Sequence, residues 1–202
     1  MLYENPLYLA EEAAALDLLA DGRVALGVSR GSPEPALRGW EEFGYTGSTD
    51  PRGADIARPK FELLMRAISG EGIATADPAQ FGAAGRLRIE PHSPGLRERI
   101  WWGAGSRSTA EWAGEQGVNL MSSTLLTEAT GTPFDQLQAE QIDLYRQAYA
   151  RAGHTGRPRV SVGRSVFPLK RPHALRPARR GRAGSDRHHR RVRVDVRQDL
   201  CR

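Results

Sequence analysis

The stretch from Arg99 to Thr124, R-I-W-W-G-A-G-S-R-S-T-A-E-W-A-G-E-Q-G-V-N-L-M-S-S-T, limits what this chain can fold into more than any other. Ile100, Trp101 and Trp102 are apolar and β-favouring, and their run stops abruptly at Gly103-Ala104-Gly105. Ser106, Ser108 and Thr109 then offer hydroxyls where a helix should open, with Glu111 in its first turn and Gly117 at its end. Val118 to Met121 starts a second buried strand. A strand, a short helix and another strand in so little sequence are the grammar of an α/β fold.

The glycine turn carries chemistry as well as topology. A helix N-terminus aims several free N–H groups at one point, and the helix dipole favours negative charge there. Small residues let a phosphate come close to the backbone, and neighbouring hydroxyls can complete its hydrogen bonds. Gly105 to Thr109 is therefore a candidate phosphate site. An ordinary βα turn with capping serines fits the same letters.

The rest of the chain repeats the α/β pattern. Pro6 to Asp21 reads as a helix, with Leu9, Ala13 and Leu16 on its apolar face and Glu11, Glu12 and Asp17 as polar positions. Arg23 to Val28 is a short apolar run, expected as a strand buried on both faces. Ser29-Arg30-Gly31-Ser32-Pro33 follows it. Ligands of parallel α/β folds bind at the carboxyl ends of strands, so Arg30 stands where a guanidinium could hold an anion. A surface arginine paired with a carboxylate is the alternative. Glu34 to Asp55 is loop-like, and Arg58 to Ile68 is the next helix, with Arg58 at its start against the dipole.

Residues 70–98 break the rhythm with repeated glycines and a short alternating strand around Leu87 and Ile89. His92 in this excursion lacks ligand-spaced partners and reads as structural. Thr132-Pro133 opens a helix that runs to about Ala152, with Ile142, Tyr145 and Tyr149 as core residues; His154 follows with no obvious partner. Arg157 to Leu169 contains the last strand.

Charge divides the chain into 1–169 and 170–202. The whole carries +5, but the first part has a net charge of −4 and the second +9. The whole chain is 39% hydrophobic, enough for the first part to form a packed core, whereas the second is an Arg-rich segment without periodicity, expected to be disordered. A nucleic-acid arm is one reading of it. An out-of-frame GC-rich coding region is the favoured one, and a zinc site from His188, His189 and Cys201 fails on spacing. No apolar run reaches the roughly 20 residues that span a bilayer. M-L-Y-E-N-P lacks a signal-peptide layout and the single Cys201 excludes an internal disulfide, so a cytoplasmic protein is expected.

Three blocks resemble the bacterial luciferase-like flavin monooxygenases, a (β/α)8-barrel family. They are Asn5 to Gly31, with its L-D-x-L and G-R-x-x-L-G-V-x-R-G letters, Trp102 to Gly117, and Gln138 to Leu169. The resemblance implies an α/β fold that is part of a TIM barrel, with strands at 23–28, 99–103, 118–122 and about 158–166. The N-terminal βα units and the last strand would be missing, because a whole barrel needs about 250 residues. An open part-barrel of this kind is expected to be marginal alone and impaired in activity. By resemblance the cofactor is reduced FMN, with coenzyme F420 as the alternative. Arg30, Ser106 and Thr109 match residues that contact the flavin phosphate, Arg58 matches a second phosphate arginine, and Gly105 contributes through its backbone. The implied partners are a small organic substrate, O2 and a flavin reductase, with a homo-oligomer left open and nucleic acid and membrane disfavoured. The alternative is an inactive fragment with a nucleic-acid-binding tail. Asn5 stands where many members have a histidine, and no catalytic residue is assigned.

Overall fold

The strand–helix–strand unit is present in the computed structural model, which describes residues 1–31, 36–82, 85–124 and 131–164. In chain order the elements are α1 (Pro6–Leu19), β1 (Leu26–Val28), α2 (Ala54–Ile68), β2 (Ala74–Thr75), α3 (Pro78–Phe81) and β3 (Arg86–Leu87). Then come β4 (Ile100–Ala104), α4 (Arg107–Glu115), β5 (Asn119–Ser122), α5 (Phe134–Arg151) and β6 (Val160–Val162). Strands β1, β4, β5 and β6 form one sheet in that order, every pair parallel, while β2 and β3 form a separate antiparallel pair. Parallel strands joined through helices that pack on the sheet are the architecture of part of a (β/α)8 barrel. The residues beyond 164, including the end of the expected last strand and the basic segment with its arm, zinc and out-of-frame readings, lie outside the described residues.

Period-2 alternation sorts the sheet's side chains by face. Ile100, Trp102, Ala104 and Leu120 are buried on the helix side, together with Phe61 and Leu64 of α2, Ala110 and Ala113 of α4, and Tyr145 of α5. Gly27 and Met121 point the other way and are exposed. The expectation that 23–28 is buried on both faces is therefore not met. The strand begins only at Leu26, and among the described residues no layer covers its second face.

Helix α1 also turns a different face inward from the one expected. Ala10, Ala13, Ala14 and Asp17 are buried, whereas Leu16 is 56% exposed. Asp17 explains the rotation. Its Oδ1 accepts from the Val24 N–H at 2.9 Å, and its Oδ2 accepts from the Ser93 hydroxyl at 2.6 Å and the Arg99 guanidinium at 2.5 Å. Arg99 also donates to the Val24 carbonyl at 3.0 Å, so the carboxylate ties α1 to the approaches of both β1 and β4.

Helices α4 and α5 meet almost backbone to backbone at Gly114. A Cβ there would lie 2.9 Å from Ala148 Cβ and would strike the Tyr145 carbonyl. Tyr145, wholly buried, donates its hydroxyl to the Val118 carbonyl at 2.9 Å and fixes α5 over the start of β5. Gly114→Ala should therefore force the helices apart and destabilise the chain by about 1–3 kcal/mol, read from urea unfolding. An unchanged unfolding midpoint would show that the contact is loose.

Candidate functional site

All four parallel strands end on one cleft of about 760 Å³. Ser29 to Gly31 reach it after β1, Gly105 and Ser106 after β4, Ser122 to Thr124 at the end of β5, and Gly163 after β6; Asp50, Arg52 and the first turns of α2 form a further wall. This is the end of a parallel α/β sheet where ligands bind. Arg30, Arg58, Gly105, Ser106 and Thr109, from separate stretches of sequence, all line it.

The turn after β4 forms with its N-cap where the hydroxyls suggest, although Glu111 stands in the second turn of α4 and not in the first as expected, because the helix opens at Arg107. Ser106 is the N-cap of α4 in extended conformation, and its Oγ accepts from the Thr109 N–H at 3.2 Å. The Ser106 hydroxyl lies 2.8 Å from that of Thr109 and 3.2 Å from that of Ser108, so three hydroxyls cluster at the helix N-terminus. Gly117, at positive φ, leaves α4 at its other end. There His154, without obvious partner by sequence, packs against Gly117, and its Nε2 lies 2.8 Å from the Glu115 carbonyl. His154 is thus a helix-end contact.

Beneath the cleft lies an aromatic triad. Phe61, Trp102 and Trp112 meet edge to face at 4.7–5.3 Å between centroids. Arg58 rests its guanidinium 5.4 Å above the Trp112 ring. It does not start its helix as expected. Helix α2 opens at Ala54 after Gly53, so Arg58 stands in the second turn, where the dipole's penalty has faded.

The electrostatics of the cleft are unbalanced. Among the described residues, none of Arg30, Arg52 and Arg58 forms an ion pair with a carboxylate, and all three line this one cleft. Arg30 is half-buried; burial first, and then the neighbouring charge of Arg52, push its guanidinium pKa down, with Asp50 acting in the opposite direction. The loop bearing Asp50 and Arg52 is pinned by Asp55 in the first turn of α2. Its carboxylate accepts from the Ser48 hydroxyl at 2.5 Å and from the Thr49 and Asp50 N–H groups at 2.7 and 3.3 Å. The Ser48 hydrogen bond is the largest cause that brings the Asp55 pKa down to about 2.

Sequence reasoning missed Arg52 and Asp50, which lie in a stretch that reads as loop. The available signal was S-T-D-P-R-G-A-D, in which hydroxyl and turn residues precede an acidic residue able to grip them from a helix's first turn.

Comparison with known proteins gives a consistent placement. The family model described as luciferase-like monooxygenase matches residues 1–197. The crystal structure of monooxygenase RslO1 from Streptomyces bottropensis is similar at a TM-score of 0.53 and 22% identity, over 80% of this chain and 46% of that one. A type II Baeyer–Villiger monooxygenase is 18% identical over 80% of this chain and 44% of that one, at a TM-score of 0.48. It is the oxygenating constituent of 3,6-diketocamphane monooxygenase from the CAM plasmid of Pseudomonas putida, in complex with FMN. The chain thus spans less than half the length of these solved structures. Among curated proteins none matches.

Proposed function

The chain belongs to the luciferase-like monooxygenase family, and we propose that its cleft holds the phosphate end of reduced FMN in a flavin-dependent monooxygenase. The observation that supports this best is the meeting of three arginines without carboxylate partners and a hydroxyl-lined helix N-terminus in one cleft. A phosphate is a counter-ion for the guanidiniums and accepts from hydroxyls at a helix N-terminus, where the dipole favours negative charge.

In this reading Arg30 and Arg58 neutralise the phosphate, the Ser106 and Thr109 hydroxyls hydrogen-bond to it, and Gly105 lets it reach the backbone. Trp102 and Met121 give the same cleft an apolar wall suited to a planar ring. Reduced FMN, when bound, supplies the electrons with which O2 is activated for transfer of an oxygen atom to a small organic substrate. The chain's own part is to anchor and orient the cofactor and to keep water from the Trp102 side. A flavin reductase would deliver the reduced cofactor.

The test is a titration of the 202-residue chain against FMN followed by flavin fluorescence. Saturable quenching is expected as the ring meets the tryptophans. A flat titration would overturn the assignment.

A further inference from the structure

Two cations facing one cleft with only the single carboxylate of Asp50 beside them are unfavourable neighbours, and the chain nevertheless holds them together. Arg30 is fixed by the end of β1, and Arg52 by the loop that Asp55 grips through Ser48, Thr49 and Asp50. Within that loop the Arg52 N–H donates to Asp50 Oδ1 at 2.7 Å, a local turn that sets where the Arg52 side chain leaves the backbone. Both guanidiniums line the same cleft, and burial first and then the Arg52 charge push the Arg30 pKa down against the opposing effect of Asp50. A group of high negative charge between them would relieve the repulsion. A group bearing a single charge would relieve less of it.

We infer that Arg52 is a specificity-determining residue, the third guanidinium of the cleft, and that it makes the site select the dianionic form of a phosphomonoester over the monoanion. The inference rests on the reading of the cleft as a phosphate site and adds to it a residue and a charge state. It also separates ligand classes. FMN ends in a phosphomonoester that carries about two charges near neutral pH, whereas a phosphodiester at the same place carries one.

FMN tests this within a single molecule, because its phosphate changes from monoanion to dianion near pH 6. The charged groups facing the cleft are Arg30 from the β1 end, Asp50 and Arg52 from the pinned loop, and Arg58 from α2. Helix α4 and the ends of β5 and β6 contribute only uncharged groups, and no histidine or glutamate lines the cleft among the described residues. The Met1 ammonium donates to the Ser29 and Arg30 carbonyls at 2.7 and 3.3 Å, and burial lowers its pKa to about 6, so it titrates with the phosphate between about pH 5 and about pH 7.5. Its loss of charge opposes tighter binding as the pH rises and is common to the wild type and both Arg52 variants, so the difference in the rise among them reports Arg52 and the phosphate.

FMN affinity of the wild type, Arg52→Gln and Arg52→Lys is measured at both pH values. Wild type should bind about tenfold more tightly at the higher pH, Arg52→Gln no more than about threefold, and Arg52→Lys should keep most of the rise because it keeps the charge. A rise in Arg52→Gln equal to that of the wild type overturns the inference and leaves the phosphate site standing. Loss of the rise in Arg52→Lys as well as in Arg52→Gln assigns Arg52 a purely structural role and also overturns it. Failure of the wild type to bind FMN at either pH overturns the phosphate reading and the inference with it.

Discussion

Replacing Asp17 with alanine is expected to destabilise the chain by about 3 kcal/mol, at or above the upper end of the effect expected for Gly114→Ala. The Asp17 side chain has no exposure, and every partner it has comes from another part of the chain: the Val24 N–H, the Ser93 hydroxyl and the Arg99 guanidinium. Removing it leaves a buried hydroxyl and a buried N–H without their acceptor and strands the Arg99 charge. Arg99 is itself 23% exposed and can recover some hydration, which places the loss at the lower end of the range for a broken buried pair. Urea unfolding at neutral pH reads the effect directly. A midpoint within error of the wild type would mean that the network is not formed in solution.

The same residue gives the chain an acid sensitivity of known sign. Burial pushes the Asp17 carboxyl up, but the hydrogen bonds from Ser93, Val24 and Arg99, with the Arg99 charge, more than reverse this and leave it below the usual carboxylate range. A carboxyl depressed in the folded state stabilises the fold fully above its unfolded pKa of about 3.9 and loses that stabilisation as the pH falls through the folded value. Asp17→Asn should therefore be less stable than the wild type at neutral pH, and the gap should narrow as both are acidified.

The second large effect is on binding. Arg30→Ala should weaken FMN affinity by about 10–100-fold, the equivalent of one charge-assisted hydrogen bond of about 1.5–3 kcal/mol made in a half-buried setting. Riboflavin, which shares the ring system and lacks the phosphate, should bind the variant and the wild type alike. Equal losses for both ligands would mean that Arg30 shapes the cleft and does not hold an anion.

Local signals made the centre of this fold legible. The 99–124 unit could be placed from sequence because each boundary has a chemical cause within a few residues: a glycine stop, an N-cap serine, a closing glycine. The capping bond from Thr109 to Ser106 and the positive φ of Gly117 are those causes made visible. Arg30 was legible for the same reason, since it directly follows a short apolar strand. Asp17 was not. On a helix it looks like any polar position, and its partners Ser93 and Arg99 lie 76 and 82 residues away. The inward face of α1 is hidden with it, because the leucines are larger and more apolar than the alanines that actually pack.

Helix α2 begins four residues earlier than its apolar spacing suggests, since Asp55 is drawn into the first turn by the loop it grips rather than by any periodicity. Arg52 escaped for a related reason: a loop arginine has no pattern, and only the fold brings it into the same cleft as Arg30.

The central claim, that this cleft is built for the phosphate of a flavin, is tested most directly by measuring FMN and riboflavin binding to the wild-type chain side by side under the same conditions. The account predicts that FMN binds about a hundredfold more tightly than riboflavin, with the difference shrinking as salt is raised. Equal affinities for the two, insensitive to salt, would contradict it.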